Sequence, residues 1–135
     1  MIIANGLLEI VIKSNVQVCY SRNCFQMKNR NMSQKNTIEQ TKEAFRLKPK
    51  AALATVKTSS ALADRFRSEI SIRHHDLVID EPQSLGGTDS GPNPIEVLLA
   101  SLGSCQEITY RAVASAMDIP LTKVSSRVEG DIDFR

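Results

Sequence analysis

The sequence lacks the features of a membrane-inserted or exported protein. No window approaches the roughly 18 or more uninterrupted apolar residues of a membrane-spanning helix. The apolar run at the N-terminus, residues 1–12, is broken by Asn5 and Glu9 and follows no basic segment, so it is a poor signal peptide. We therefore expect a protein of the cytoplasm that is not inserted in a membrane.

Cysteine is scarce and does not occur at metal-binding or redox spacings. The chain has three cysteines, an odd number that favours reduced thiols over a disulfide framework. Cys19 and Cys24 do not form a C-x-x-C motif, and no second pair of Cys or His at ligand spacing follows. The adjacent His74 and His75 are interpreted as the exposed tip of a turn. We expect neither a metal nor another cofactor.

The charge balance and the glycine pattern give no indication of nucleic-acid or nucleotide binding. The formal net charge is +2, of which residues 1–31 carry +3, from four basic residues against Glu9, and residues 32–135 carry −1. The glycines of residues 85–92 precede a helix but lack the Gly-Lys-Ser/Thr ending of a phosphate-binding loop. A connector whose backbone lies close to the core is the favoured interpretation of this loop.

The best-formed predicted element is a long helix over residues 95–117. Asn93 suits the N-cap position, Pro94 the first helical position and Glu96 the position of a capping-box acid. Apolar residues occur on nearly every side of the helix, so we expect it to be central and buried in a core. The helix should stop at Asp118-Ile119-Pro120.

Short strands are predicted on both sides of this helix. Residues 66–73 alternate between apolar and charged side chains, and with residues 76–80 they should form an antiparallel hairpin. Further strands are predicted over residues 52–57 and 123–130, with residues 131–135 starting another turn or strand. The order of elements predicts an α+β domain whose long helix covers one face of an antiparallel sheet.

Residues 1–35 differ from the rest of the chain and are interpreted as an atypical N-terminal extension. They are rich in Asn, Gln and basic residues and show no clean helical or strand period. Met32 precedes the first well-formed pattern, so residues 1–31 are expected not to belong to the native fold. Residues 36–135 are interpreted as the domain, beginning with a helix over about 37–47 that is capped by Asn36-Thr37-Ile38-Glu39. The chain ends in mid-pattern, so we expect a missing C-terminal part or a covering partner chain.

Cys105 is the plausible reactive group of the long helix. Free cysteine is commonly a small buried hydrophobe, and composition alone favours that structural role. A nucleophilic cysteine needs a stabilised thiolate, and Cys105 lies about three turns from the helix N-terminus, whose field fades within the first turn. A cationic side chain from elsewhere would be required, and the candidates are Arg65, Arg67 and Arg111.

Glu96 is the carboxylate in the first turn of this helix. It precedes Cys105 by nine residues, which places it about 180° around the helix axis. N-terminal capping is therefore favoured over contact with the sulfur. The residues expected to share the face of Cys105 are Leu98, Ser101, Leu102, Ile108, Thr109 and Ala112.

Several segments taken together resemble the OsmC/Ohr family of osmotically induced and organic-hydroperoxide-resistance proteins. The resemblance covers about residues 66–134. It is most specific in Asp80-Glu81-Pro82, Leu85-Gly86-Gly87-Thr88-Asp89, Gly91-Pro92-Asn93-Pro94-Ile95-Glu96 and Leu98-Leu99-Ala100-Ser101-Leu102-Gly103-Ser104-Cys105.

The resemblance implies an intertwined α+β homodimer that reduces organic hydroperoxides at the expense of a thiol reductant. Cys105 matches the peroxidatic cysteine, and Arg65 or Arg67 falls near the arginine that activates it. A carboxylate should hold that arginine, but Glu96 comes one residue later than the acid of the well-studied branches, where this chain has Ile95.

No cysteine follows Cys105, so the resolving cysteine of the family is absent and turnover should be impaired. The alternative is a non-catalytic OsmC-like protein that binds a ligand or a partner and contains a structural, buried Cys105.

Overall fold

The computed structural model describes residues 2–4, 9–20 and 25–133, and side chains within residues 12–19 and 34–133. The chain divides into a first unit, residues 1–53 with 101–135, and a second unit, residues 54–100. The described elements are β1 (Ile2–Ala4), β2 (Glu9–Tyr20), α1 (Phe25–Leu47), β3 (Ser59–Asp64), β4 (Arg67–Ile72), β5 (His75–Ile79), α2 (Pro94–Ala116) and β6 (Leu121–Asp133), with short 3-10 helices at Pro49–Ala52 and Gln83–Leu85. The predicted α+β class is confirmed.

The sheet of the first unit is antiparallel, with strand order β1-β2-β6. Its main contact is the long pairing of β2 with β6, whose register runs from Glu9 opposite Asp133 to Tyr20 opposite Leu121. Residues 1–35 were predicted to have no clean strand period, and this prediction is wrong for residues 9–20. Ile12, Val16 and Val18 alternate with exposed neighbours, which is the period-2 pattern of a half-buried strand.

The end of α1 was predicted correctly and its beginning was not. The helix ends at Leu47, before Pro49, but it already begins at Phe25, so Asn36-Thr37-Ile38-Glu39 lies inside the helix and is not a cap. Two polar contacts of described residues join α1 to the end of α2. Gln34 Oε1 accepts a hydrogen bond from Ser115 Oγ at 3.1 Å, and Lys35 forms an ion pair with Asp118.

Both ends of α2 follow from local sequence. The helix begins at Pro94 directly after Asn93, as predicted. At its other end Asp118 has a positive φ of 55°, and Ile119 N–H donates to Ala114 C=O at 2.8 Å. This is the hydrogen-bond pattern of a Schellman motif, with Asp118 in the left-handed position that glycine usually occupies. Pro120 then prevents continuation of the helix.

In the first unit α2 packs closely on β6. A Cβ atom added to Gly103 would lie 2.8 Å from Ser126 Oγ and 3.3 Å from Val128 Cγ2, so the absence of a side chain permits this approach. Only one side of the helix is covered. Gly103, Ala114 and Ser115 are its buried residues, whereas Ile108 and Val113 are 68% and 50% exposed. The expectation of a helix buried in a core is therefore wrong for the single chain.

The sheet of the second unit is also antiparallel, with strand order β3-β4-β5. The predicted hairpin of β4 and β5 is confirmed, with Ile72 opposite His75, and Arg73 in the turn has a φ of 59°. The strand predicted over residues 52–57 is wrong, because residues 53–58 are irregular and the strand that pairs with β4 is β3. The local composition could not show which of two neighbouring segments forms the strand, because residues 51–57 and Ser59–Asp64 both contain small and aliphatic residues.

Candidate functional site

Cys105 lies near the middle of α2 and its side chain is exposed. Glu107 faces β6, and a residue two positions earlier on a helix lies about 200° around the axis. Cys105 therefore points away from β6. The interpretation of Cys105 as a buried structural residue is wrong for the single chain, and the thiol is accessible to a small reagent.

Two polar side chains of α2 fix its position in the first unit. Glu107 Oε1 accepts hydrogen bonds from Ser126 N–H at 2.9 Å and from Ser126 Oγ at 2.7 Å. Gln106 Nε2 donates to Ser14 Oγ on β2 at 3.2 Å. These two residues directly follow Cys105, so the contacts with β2 and β6 determine which part of the helix surface carries the thiol.

Arg111 has a structural role on another side of the helix. Its guanidinium donates to the carbonyl oxygens of Leu121 at 2.6 Å and Thr122 at 3.5 Å, at the start of β6. It follows Cys105 by six residues, which places it about 240° around the axis. Arg111 is thus on the sheet side of α2 and was the least suitable of the three candidate cations.

The other two candidate arginines belong to the second unit, at the start of β4. Arg65 lies in the turn between β3 and β4 and has a φ of 46°. Arg67 is the first residue of β4, and its Nη1 atom is 2.8 Å from Glu69 Oε1. The Arg67 side chain is 35% exposed. Their pairing with Cys105 stays a prediction.

Glu96 forms the predicted capping box with Asn93. Asn93 N–H donates to Glu96 Oε2 at 2.8 Å, and Glu96 N–H donates to Asn93 Oδ1 at 2.9 Å. Each side chain therefore satisfies a backbone donor of the first turn that has no partner within the helix. The capping role is confirmed, whereas a catalytic role for Glu96 stays a prediction.

The residue that organises the loop before α2 is Asp80, which sequence reasoning did not single out. Its side chain is 1% exposed, and its carboxylate accepts five hydrogen bonds at 2.5–3.2 Å. The donors are the backbone N–H and hydroxyl groups of Thr88 and Ser90 and the N–H of Glu81. The hydrogen bond from the Thr88 hydroxyl, with the three backbone donors, holds the pKa of Asp80 well below its ordinary value despite burial.

Two glycines allow the backbone of this loop to lie close to its neighbours, as the sequence predicted. A Cβ atom on Gly87 would lie 1.8 Å from the carbonyl oxygen of Glu81, and one on Gly91 would lie 2.4 Å from that of Val78. The recognisable signal for Asp80 was an acid followed, within ten residues, by Thr and Ser in a glycine-containing loop. It was part of the family motif, but no contact had been inferred from it.

The remaining sequence candidates are isolated. His74 and His75 are exposed, with ring centroids 3.9 Å apart, and no group of three or more possible metal ligands occurs among the described residues. Cys19 is an exposed free thiol on β2, and Cys24 lies outside the described residues. Within the same described part of the chain, no helix is long and apolar enough to cross a membrane.

Comparison with known protein families supports the resemblance. Residues 87–135 match a family described as OsmC-like protein, so the predicted resemblance is confirmed over this segment. The segment includes Glu96 and Cys105 but neither Arg65 nor Arg67. A search of curated protein sequences gave no significant match.

Proposed function

We propose that the protein is a thiol-dependent peroxidase that reduces organic hydroperoxides at Cys105. The observation that supports this function best is the exposure of the Cys105 thiol on a helix within the OsmC-like segment. An exposed thiol on a helix anchored by its other side can be reached by a small peroxide without opening the fold.

The reaction has two stages. The Cys105 thiolate attacks one oxygen of the hydroperoxide, the O–O bond breaks, and the departing alkoxide takes up a proton and leaves as an alcohol. Cys105 is thereby oxidised to sulfenic acid. One thiol reductant condenses with the sulfenic acid, releasing water and forming a mixed disulfide, and a second thiol displaces Cys105 and leaves as the oxidised disulfide.

An arginine completes the proposed site. Arg65 or Arg67 stabilises the thiolate and the developing charge on the leaving oxygen, the task for which a fixed guanidinium is suited. We further propose that the protein acts in the cytoplasm as a homodimer. The proposed reductant of the sulfenic acid is an external thiol.

The proposal is tested by hydroperoxide consumption with dithiothreitol as reductant. Cumene hydroperoxide should be consumed by the wild-type protein and by Cys19→Ser, but not by Cys105→Ser. Cys19 is the matched control, because it is the other exposed free cysteine among the described residues. Consumption by Cys105→Ser at the wild-type rate would exclude the mechanism and favour a non-catalytic ligand- or partner-binding protein.

A further inference from the structure

Both histidines of the chain lie at the tip of the β4–β5 hairpin, and their rings are in contact. Ile72 pairs with His75, so the loop between the two strands consists of Arg73 and His74 alone. Successive side chains of a strand point to opposite faces, but His74 lies in the turn, and the turn brings its ring beside that of His75. The ring centroids are 3.9 Å apart, closer than the roughly 4.5–7 Å at which aromatic rings usually pair. The hairpin therefore presents two imidazoles side by side at an exposed position.

The backbone that carries the two rings is held by the hairpin itself. Ser71 lies opposite Asp76, and Ser71 Oγ donates to Asp76 Oδ1 at 3.0 Å, which joins the two strands next to the tip. Arg73 has a φ of 59°, and a positive φ at the first loop position is what two-residue hairpin loops require. Glycine adopts this conformation more readily than arginine. The placement of the rings thus depends on a short turn and one cross-strand hydrogen bond.

We propose that His74 and His75 together bind one divalent transition-metal ion of the class that imidazole nitrogen prefers, such as Ni²⁺, Cu²⁺ or Zn²⁺. An ion bound to two imidazole nitrogens at about 2.1 Å each holds these nitrogens about 3.0–3.5 Å apart. Rings whose centroids are 3.9 Å apart reach this arrangement by small side-chain rotations. The described residues contain no group of three or more possible metal ligands, so water completes the coordination.

The charged neighbours of the two rings provide matched control variants. Arg73→Gly removes a positive charge beside the site and places glycine at the positive φ, so it should keep the turn and bind the ion at least as tightly. Asp76→Asn removes the nearest carboxylate in sequence but keeps an oxygen that accepts the Ser71 hydroxyl. Because Asp76 is not a ligand in this proposal and exposed charges are screened by salt, Asp76→Asn should change the affinity little.

The test is a calorimetric titration of the full chain, without an affinity tag, with NiCl₂ in a buffer that does not chelate metal. The wild-type protein should bind one Ni²⁺ per chain through the histidines. His74→Ala and His75→Ala should each weaken this binding on the order of 100-fold, because the second of two linked ligands binds at a high effective concentration. The cysteines are the same in every variant, so a difference in affinity reports on the substituted residue. Thermal melting shows that each variant is folded.

The variants also separate shared ligation from other ways of binding the ion. Absence of binding to the wild-type protein, or unchanged affinity in either histidine variant, would overturn the inference. Two ions per chain, each lost with one histidine, would overturn it as well, because the rings would then act independently. A loss in Asp76→Asn as large as that in the histidine variants would contradict a site made of two imidazoles by showing that a carboxylate is a ligand.

Discussion

Asp80 and Thr88 are joined by two hydrogen bonds to one carboxylate oxygen, one from the Thr88 hydroxyl at 2.5 Å and one from its N–H at 3.0 Å. They are eight residues apart and close the loop that leads into α2. The result is a buried carboxylate that is stabilised by neutral hydrogen-bond donors.

Replacement of Asp80 by Asn should make the free energy of unfolding less dependent on pH in the acid range. The folded pKa of Asp80 is lowered, so the unfolded state binds the proton more readily, and stability rises with pH. The stabilisation is present above the unfolded value of about 3.9 and is lost as pH falls below it toward the folded pKa. The difference in free energy of unfolding between wild type and Asp80→Asn, from urea titrations at pH 7 and at acid pH, should therefore shrink in acid. A difference that does not change with pH would contradict the conclusion that ionised Asp80 stabilises the fold.

Gly87→Ala should destabilise the loop before α2. The added Cβ atom would meet the Glu81 carbonyl oxygen at 1.8 Å, and backbone atoms on both sides would have to move. Overpacking of this kind typically costs about 1–3 kcal/mol or more. Thermal unfolding should show a clear decrease, larger than that of an Ala substitution at exposed Ser84. An unchanged melting temperature would show that the loop is not held in this conformation.

The capping box predicts different results for two substitutions at its ends. Asn93→Ala removes the acceptor for Glu96 N–H and should lower the free energy of unfolding by roughly 1 kcal/mol. Glu96→Gln keeps an acceptor for Asn93 N–H and should preserve stability. It should also preserve hydroperoxide reduction if the role of Glu96 is capping. A large loss of rate in folded Glu96→Gln would instead assign this side chain to the catalytic site.

Glu107 should be important for stability, because it joins α2 to β6. Its carboxylate accepts both the N–H and the hydroxyl of Ser126. Glu107→Ala would leave these donors unpaired, at a cost of about 1.5–3 kcal/mol for a hydrogen bond to a charged group. Ser126→Ala removes only the hydroxyl donor and should have a smaller effect in the same denaturant titration. Equal effects would indicate that the N–H contact contributes nothing.

The sequence predicted the parts of the fold that depend on neighbouring residues. Asn93, Pro94 and Glu96 specify the start of α2 within four positions, and the alternation in residues 66–73 specified β4. The period-2 pattern of β2 was visible in Ile12, Val16 and Val18, but Ser14 interrupts it and its partner β6 is more than a hundred residues away. A strand whose partner is so distant in sequence can be recognised locally only from the alternation of its apolar and polar residues.

The candidate site could be predicted only in part, for the same reason. Cys105 stands out because it is on a well-specified helix, and Glu96 because capping is local. Glu107, Arg111 and Asp80 depend on partners brought together by folding, so their contacts could not be inferred from spacing alone. The pairing of Arg65 or Arg67 with Cys105 would also be a long-range contact, and it stays a prediction.

Trapping of sulfenic acid tests the central claim most directly. The protein is treated with one equivalent of cumene hydroperoxide in the presence of dimedone, which reacts with sulfenic acid and not with thiols, and the peptides are identified by mass spectrometry. We predict a dimedone adduct on Cys105, formed rapidly, with Cys19 largely unmodified. Consumption of the hydroperoxide while Cys105 remains a free thiol, or modification of Cys19 at the same rate, would contradict it.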